Sequence, residues 1–332
     1  MIIHSTDHNR WCKVLESKWY ENMFKIYSDI IKYSNQFYDQ RNFSIAALPI
    51  TTTSISSPMG LGSDSLPVKI NLLGQETYLA DSMQFLLEYT LRFNQNGVYY
   101  IMPSFRGEDS DERHLSQFYH SEVEIKGGLD DIIRLAEEYI QYITSFIIEK
   151  DYYHSLNVPV DHFNDIKRII YLGHFPRIHF KDAIDLLKNE YPAGIEIRDG
   201  LKTINSEGEQ HLIKKYNGVV WLTHLEHKSV PFYQQYDPDD QKYALAADLL
   251  IGMGETLGCG ERADYHSVQK SLMDHQVSPD HYEWYINMKK QYPLQTSGFG
   301  MGIERYIAWL TGNYDIRNIP VVYRDKDVKI EP

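Results

Sequence analysis

Apolar residues recur every three or four positions from about Trp11 to Gln40, with Trp19, Met23, Ile26, Ile30 and Tyr33 on one stripe, which predicts one or two amphipathic helices. A β-like run from Arg41 to Pro49 follows. Thr51 to Pro67 is rich in Ser, Thr, Gly and Pro, includes Met59-Gly-Leu-Gly-Ser, and reads as a long mobile loop. Strands are expected at Val68–Gly74, Gly97–Arg106 and Phe118–Ile125, with a helix over Asp81–Phe93 and the clearest amphipathic helix over Leu129–Lys150. Residues 155 to 215 are mixed and carry no clear period. Beyond them, Val219–Thr223 and Tyr243–Leu250 are strand-like, His266–His275 is helical, and a glycine-rich turn leads into a helix over Gly302–Thr311. Strands joined through hairpins, with helices grouped around them, predict an α+β antiparallel sheet.

Composition narrows the class. The chain has 332 residues, 42% of them hydrophobic, enough for a sizeable core. No apolar run reaches the roughly 18 to 20 residues that span a bilayer, and no signal peptide is apparent at the start. Cys12 and Cys259 stand far apart and in no metal-like pair, so a reduced cytoplasmic setting without a membrane partner is expected. Net charge is −13, from 33 basic and 46 acidic side chains, which argues against nucleic acid as a partner. There is no internal repeat and no linker longer than a loop. The expected layout is a helical extension over 1–40 ahead of one compact domain over 41–332.

Three segments carry candidate chemistry. Phe105-Arg-Gly-Glu-Asp-Ser-Asp-Glu-Arg-His-Leu-Ser-Gln-Phe118 holds Arg106, Glu108, Arg113 and His114 between two strands. The planar fork of Arg106 suits a carboxylate and a phosphate alike, although a plain charged hairpin loop reads the same way. In Asp248 to Arg262, Asp248 and Glu255 are oxygen ligands suited to Mg²⁺, while Gly258 and Gly260 let a ligand approach the backbone; a glycine-rich hairpin with solvated acids is the alternative. In Ser297-Gly-Phe-Gly-Met-Gly-Ile-Glu-Arg305, alternate glycines enter a helix whose N-terminus favours an anion, with Arg305 in its first turn. Helix packing against glycine competes with that reading.

Together these segments resemble the class II aminoacyl-tRNA synthetases, and within them the catalytic domain of the asparaginyl type, over about Phe43 to Arg324. Arg41–Pro49 is similar to the family's first motif, Phe105–Glu124 to its second and Gly298–Arg305 to its third. Gly254-Glu255, Gly258-x-Gly-x-Arg262, Phe232-Tyr233, Tyr282–Tyr285 and Asp315–Pro320 match asparaginyl-type sequence as well. The resemblance implies a homodimer built around the first motif and the class II antiparallel sheet flanked by helices. It also implies ATP-dependent formation of an aminoacyl-adenylate. Arg106 would bridge the substrate carboxylate and the α-phosphate. Glu108 and His114 would flank the nucleotide, Phe118 would stack on adenine, Gly302 would line the nucleotide, and Arg305 would reach its γ-phosphate or ring. Asp248 and Glu255 would hold Mg²⁺. In Leu79–Glu88, Ser82 and Gln84 would hold the amino acid, and Arg262 would read its side chain. Glu88 would accept the amide N–H₂ of an asparagine-like substrate, since Leu87 stands where aspartate-specific relatives carry a lysine. Leu87 and Glu88 on a plain helix surface remain the alternative.

The sequence also departs from the family. Its usual Gly-Gly-Ser is Gly258-Cys-Gly260 here, its second-motif alanine is Gly107, and its Phe-Pro-Arg ending is absent after Pro320. Cys259 reads as a packing residue rather than a nucleophile. The family's N-terminal oligonucleotide-binding barrel, about a hundred residues long, corresponds here to only about 40 residues of helical pattern. The expectation is therefore an amino-acid-activating enzyme whose acceptor is a non-tRNA amine. Asparagine synthesis from aspartate and ammonia is an alternative reading, and a non-catalytic module that binds an amino acid or ATP is another.

Overall fold

The computed structural model describes residues 9–56, 66–198 and 200–326. In chain order the elements are α1 (Arg10–Glu16), α2 (Lys18–Asp39), β1 (Ser44–Ile45), β2 (Thr51–Thr52), β3 (Val68–Leu72), β4 (Gln75–Leu79), α3 (Gln84–Thr90), β5 (Val98–Phe105), β6 (Gln117–Lys126), α4 (Leu129–Ile147), α5 (Asp151–His154) and α6 (Val160–Ile170). They continue with β7 (Arg177–His179), α7 (Phe180–Glu190), β8 (Ile195–Arg198), β9 (Leu201–Ile204), α8 (Ser206–Lys215), β10 (Val219–Thr223), β11 (Ala246–Ile251), β12 (Gly254–Glu261), α9 (Tyr265–Asp274), α10 (Glu283–Gln291), β13 (Thr296–Gly302) and α11 (Ile303–Thr311).

Eight strands form the main sheet in the order β1-β5-β6-β13-β12-β11-β10-β7. The six from β5 to β10 pair antiparallel, and β1 and β7 add parallel edges. The α+β antiparallel architecture expected from the sequence is the one found. One face of the sheet is dry. Tyr99, Val123, Trp221, Leu249, Leu257, Phe299 and Met301 meet Met23, Ile26 and Phe37 of α2 and Ile132, Ala136, Tyr139 and Ile143 of α4 in a single core. Tyr139 satisfies its hydroxyl there through Ser34 at 2.7 Å and Ser121 at 2.9 Å. Helix α2 is thus part of the main core, and the expected boundary at residue 40 separates nothing in the packing. Cys259 lies in the same core, where burial pushes its thiol up, as a packing role requires.

The other face carries the polar chemistry because strand side chains alternate. On β6, Val123 and Ile125 enter the core while His120, Glu122 and Glu124 point the opposite way. On β13, Phe299 and Met301 are core residues and Gly298, Gly300 and Gly302 take the opposite face. The glycine-rich segment is therefore a central strand, not the turn expected from sequence. Its backbone is committed to the ladders with β6 and β12, so these glycines contribute room rather than free N–H groups. A Cβ at Gly298 would overlap the Glu124 carboxylate and come within 2.5 Å of Arg262 Nη2.

Other sequence expectations shift in detail. Only Ser44–Ile45 of the first β-like run pairs, and residues 51–56 are tied down by β2 and by Ser56 bonding to Asp81, rather than forming a loop throughout. Met59-Gly-Leu-Gly-Ser lies outside the described residues. The unreadable stretch 155–215 holds α6, α7, the β8–β9 hairpin and α8.

Candidate active site

Two cavities open side by side on the polar face. The first, about 440 Å³, is lined by Arg106, Glu108, Arg113, His114, Phe118, Glu255, Gly302 and Arg305, among others. The second, about 370 Å³, is lined by Ser82, Gln84, Glu122, Gln234, Asp248 and Arg262, among others. Arg106, His120, Glu255 and Gly300 line both, so the two form lobes of one site. Of the residues expected from sequence, all but Glu88 are brought to it.

In the first lobe, Arg106 follows β5, and its guanidinium carbon lies 5.4 Å from the centre of the Phe118 ring. No side-chain ion pair or hydrogen bond joins that guanidinium to another described residue, and its Nε is buried without a partner. Arg113 pairs with Glu209 of α8 at 2.8 Å, and Arg305 donates to the Glu255 carbonyl at 2.5 Å. Burial, reinforced by the Arg106 and Arg113 charges, depresses the pKa of Arg305, while Glu255 opposes that shift. The lobe therefore gathers three guanidinium groups with one carboxylate partner. Glu108 Oε1 accepts from the Leu66 N–H at 2.8 Å, while its buried Oε2 has no partner. His114 is half-exposed and held by Asp111 at 2.9 Å.

Asp248 and Glu255 reach the same point from adjacent strands. A register shift between Leu249 and Leu250 sends Leu257 into the core yet leaves Glu255, two residues away, on the site face. A Cβ at Gly258 would lie 3.1 Å from Glu255 Oε1 and 3.4 Å from Asp248 Oδ1, so glycine there makes space for both carboxylates. Burial, then the Glu255 and Glu209 charges, push the Asp248 carboxyl well up. Two converging carboxylates with no donor of their own suit a hard divalent cation. Among the described residues no group of three or more His, Cys, Asp or Glu side chains forms a complete cage, so water and phosphate oxygens would supply the other ligands.

In the second lobe, Glu122 accepts from Ser82 Oγ at 2.7 Å and from the Tyr100 hydroxyl, and lies 3.1 Å from His120 Nδ1. Burial raises its pKa, but these donors outweigh that effect and hold the carboxyl below the usual range. Arg262 is held by both Glu124 oxygens, through Nε at 3.0 Å and Nη2 at 2.9 Å. Its Nη1 faces Gln234 Oε1 at 3.4 Å. Gln234 fills the space that a side chain at Gly260 would need.

Glu88 is the correction. It lies beneath the lobe, not in it, paired with Lys289 of α10 at 2.7 Å and bonded by the Tyr285 hydroxyl at 2.6 Å. Leu87 is likewise a core residue. Gln84 and Glu88 stand one turn apart on the same side of α3, and the step along the helix axis carries position 88 past the cavity and against Lys289 and Tyr285 of α10. Glu122, an acid the sequence reading passed over, faces the lobe instead of Glu88. His120, Glu209 and Gln234 were missed as well. Alternation along Phe118–Ile125 carried a signal for His120 and Glu122, since a polar alternate set on a central strand needs a reason. Glu209 and Gln234 had none.

A large, mostly antiparallel sheet flanked by helices is the fold of the class II aminoacyl-tRNA synthetases. The chain belongs to that group: the family described as tRNA synthetases class II (D, K and N) matches residues 4–323. It is 28% identical over 305 residues to asparagine–tRNA ligase of Koribacter versatilis, covering 89% of this chain and 66% of that protein. It is 31% identical over 248 residues to the Thermococcus kodakarensis enzyme of the same name, covering 73% of this chain and 56% of that one. The chain thus spans about 56–66% of the length of these relatives. The asparaginyl-tRNA synthetase of Pyrococcus horikoshii complexed with asparaginyl-adenylate superposes with a TM-score of 0.83 at 26% identity, over 93% of this chain and 69% of that one. The Entamoeba histolytica enzyme in the same type of complex shares the fold, with a TM-score of 0.75 at 22% identity over 92% of this chain and 67% of that one. Among the described residues no helix is long and apolar enough to cross a membrane.

Proposed function

We propose that this chain activates a small amino acid, asparagine or one with a similar side chain, as an aminoacyl-adenylate and transfers the acyl group to a non-tRNA amine. The observation that carries the reading is the shared wall of the two lobes, lined by Glu255 and by Arg106, which has no ion-pair partner among the described residues. A carboxylate in the second lobe and a triphosphate in the first meet at that guanidinium. The carboxylate needs no base, because it is ionised at neutral pH. The protein has to align it with the α-phosphorus and offset the charge that develops there. Arg106 and Arg305 supply that positive charge. Mg²⁺ held by Asp248 and Glu255 would offset phosphate charge when bound. Phe118 offers an aromatic face to the adenine, and Glu108 and His114 flank it.

The substrate lobe combines donors and an acceptor. Arg262 and Gln234 offer N–H groups, whereas Ser82, Gln84 and Glu122 suit an ammonium or amide N–H₂. The asparaginyl-adenylate bound by the Pyrococcus relative supports the asparagine assignment. A net charge of −13 disfavours a polyanionic acceptor and supports a small amine instead. Exposed Ile45 and Ile50 beside the β1 edge suit a second copy, and two free cysteines suit a cytoplasmic setting.

The test is exchange of labelled pyrophosphate into ATP with single amino acids, followed by acylation assays. Exchange with asparagine, and no acylation of total tRNA, is expected. No exchange with any amino acid overturns the activation step. Charging of tRNA overturns the acceptor. Exchange with aspartate alone, with the product consumed by ammonia, would make the chain an asparagine-forming ligase.

A further inference from the structure

The adenylation half of this reaction needs no base, but the transfer half does. An aliphatic amine is an ammonium ion at neutral pH and has no lone pair until a proton leaves. The site therefore has to offer an acceptor for that proton near the acyl carbon. Arg106, Gly300 and Glu255 stand on the wall between the lobes, and none of them is free to take it: one is a permanent cation, one has no side chain, and one is committed to the metal site. The fourth shared residue is His120.

His120 sits on β6 opposite Gly302 of β13. Its Nδ1 lies 3.1 Å from Glu122 Oε1 and 2.9 Å from Ser104 Oγ, while Phe118 packs edge-on with ring centres 4.7 Å apart. Nδ1 is the ring nitrogen turned to the Glu122 carboxylate, which suits the tautomer that has its proton there and presents the Nε2 lone pair to the site. Nε2 has no partner among the described residues, and the ring lines both lobes. The charged groups around it are Glu122 on its own strand, Arg106 after β5, Glu255 on β12, and Glu304 and Arg305 on α11. The nearest, Glu122, would stabilise an imidazolium.

We propose that His120 is a catalytic residue of the transfer half-reaction, acting as general base toward the acceptor amine. The inference rests on the amine-transfer reading above. Nε2 takes one proton from the ammonium, and the nitrogen, its lone pair now free, bonds to the acyl carbon. The bond between that carbon and the phosphate oxygen then breaks, and AMP leaves with the electron pair while its phosphate takes the second nitrogen proton. The products are an amide, protonated AMP and a protonated imidazole, and both acids return their protons to solvent. Glu122 orients the ring and holds its tautomer, so it is a positioning residue in this step.

The test compares two nucleophiles on the adenylate formed by the full chain. Hydroxylamine is weakly basic and already unprotonated at neutral pH, so it needs no base, whereas ammonia is protonated and does. In H120Q and H120N the ratio of amide formed from ammonia to hydroxamate formed from hydroxylamine should fall by about 10²- to 10⁴-fold, the range of a lost general base. Raising the pH should restore the ammonia reaction of the variants in proportion to free ammonia. The proposal is overturned if the product ratio stays within twofold of the native value. It is equally overturned if both products fall in step with pyrophosphate exchange in both variants, because His120 is then structural. Exchange by the native chain without any ammonia-dependent amide refutes amine transfer itself while leaving activation intact.

Discussion

The pair Glu88–Lys289 offers a sharp test of how the site is built, because sequence pointed Glu88 at the substrate and the structure points it away. The two side chains are 2% and 3% exposed and 2.7 Å apart, with Tyr285 as a further donor at 2.6 Å and Arg92 at 3.7 Å. Lys289→Met leaves a buried carboxylate with one short hydrogen bond and one distant guanidinium. Breaking a buried pair from one side costs about 3–5 kcal/mol. The remaining Tyr285 and Arg92 contacts put this case near the low end, about 3 kcal/mol, or roughly a hundredfold in the unfolding equilibrium. Glu88→Leu leaves a lysine whose pKa burial already depresses against the pull of Glu88. Its folded pKa then falls further below the unfolded one, so this variant loses more stability as pH drops. The double change Glu88→Leu, Lys289→Met removes both charges and keeps the volume filled. It leaves only the Tyr285 hydroxyl unpaired, at about 1–2 kcal/mol. Urea unfolding of the four proteins should therefore show a coupling of at least about 2 kcal/mol between the sites. The amino-acid KM in pyrophosphate exchange should stay within threefold for the double variant. A tenfold rise in that KM with an unchanged unfolding midpoint would place Glu88 against the substrate after all. Additive losses in the double variant would refute the pairing argument.

Two further predictions rest on the same face of the sheet. Gly298→Ala should destabilise the chain by about 1–3 kcal/mol and cut exchange, since its methyl would meet the Glu124–Arg262 pair; Gly302→Ala, whose methyl would have nothing nearer than 3.8 Å, should do much less in both assays. Burial pushes the Glu304 carboxyl up to about 7, against the Tyr119 N–H and Tyr27 hydroxyl that bond it. Its contribution is present at acid pH and lost as pH rises from the unfolded value of about 4.5 toward 7, roughly 3 kcal/mol in all. Urea midpoints at pH 5 and pH 8 should show that loss in the native chain and its absence in Glu304→Gln.

Much of the site was legible because its chemistry is local in sequence. The Arg106-to-Phe118 segment, the acids at 248 and 255 and the glycine-flanked Arg305 each announce themselves within a dozen residues, and the periods of α2, α4 and β6 mark which faces are apolar. Tertiary structure alone decided the rest, because the deciding partners are distant in the chain. Lys289 takes Glu88 out of the substrate lobe from two hundred residues away. Gln234 occupies the space left by Gly260, and Glu209 reaches Arg113 from a helix the pattern did not reveal. The alternate glycines read as a turn until β6 and β12 are seen on either side of them. A sequence period reports which side of an element is apolar. Which buried acid meets a cation and which meets a cavity depends on how those elements are stacked, and no local pattern encodes that.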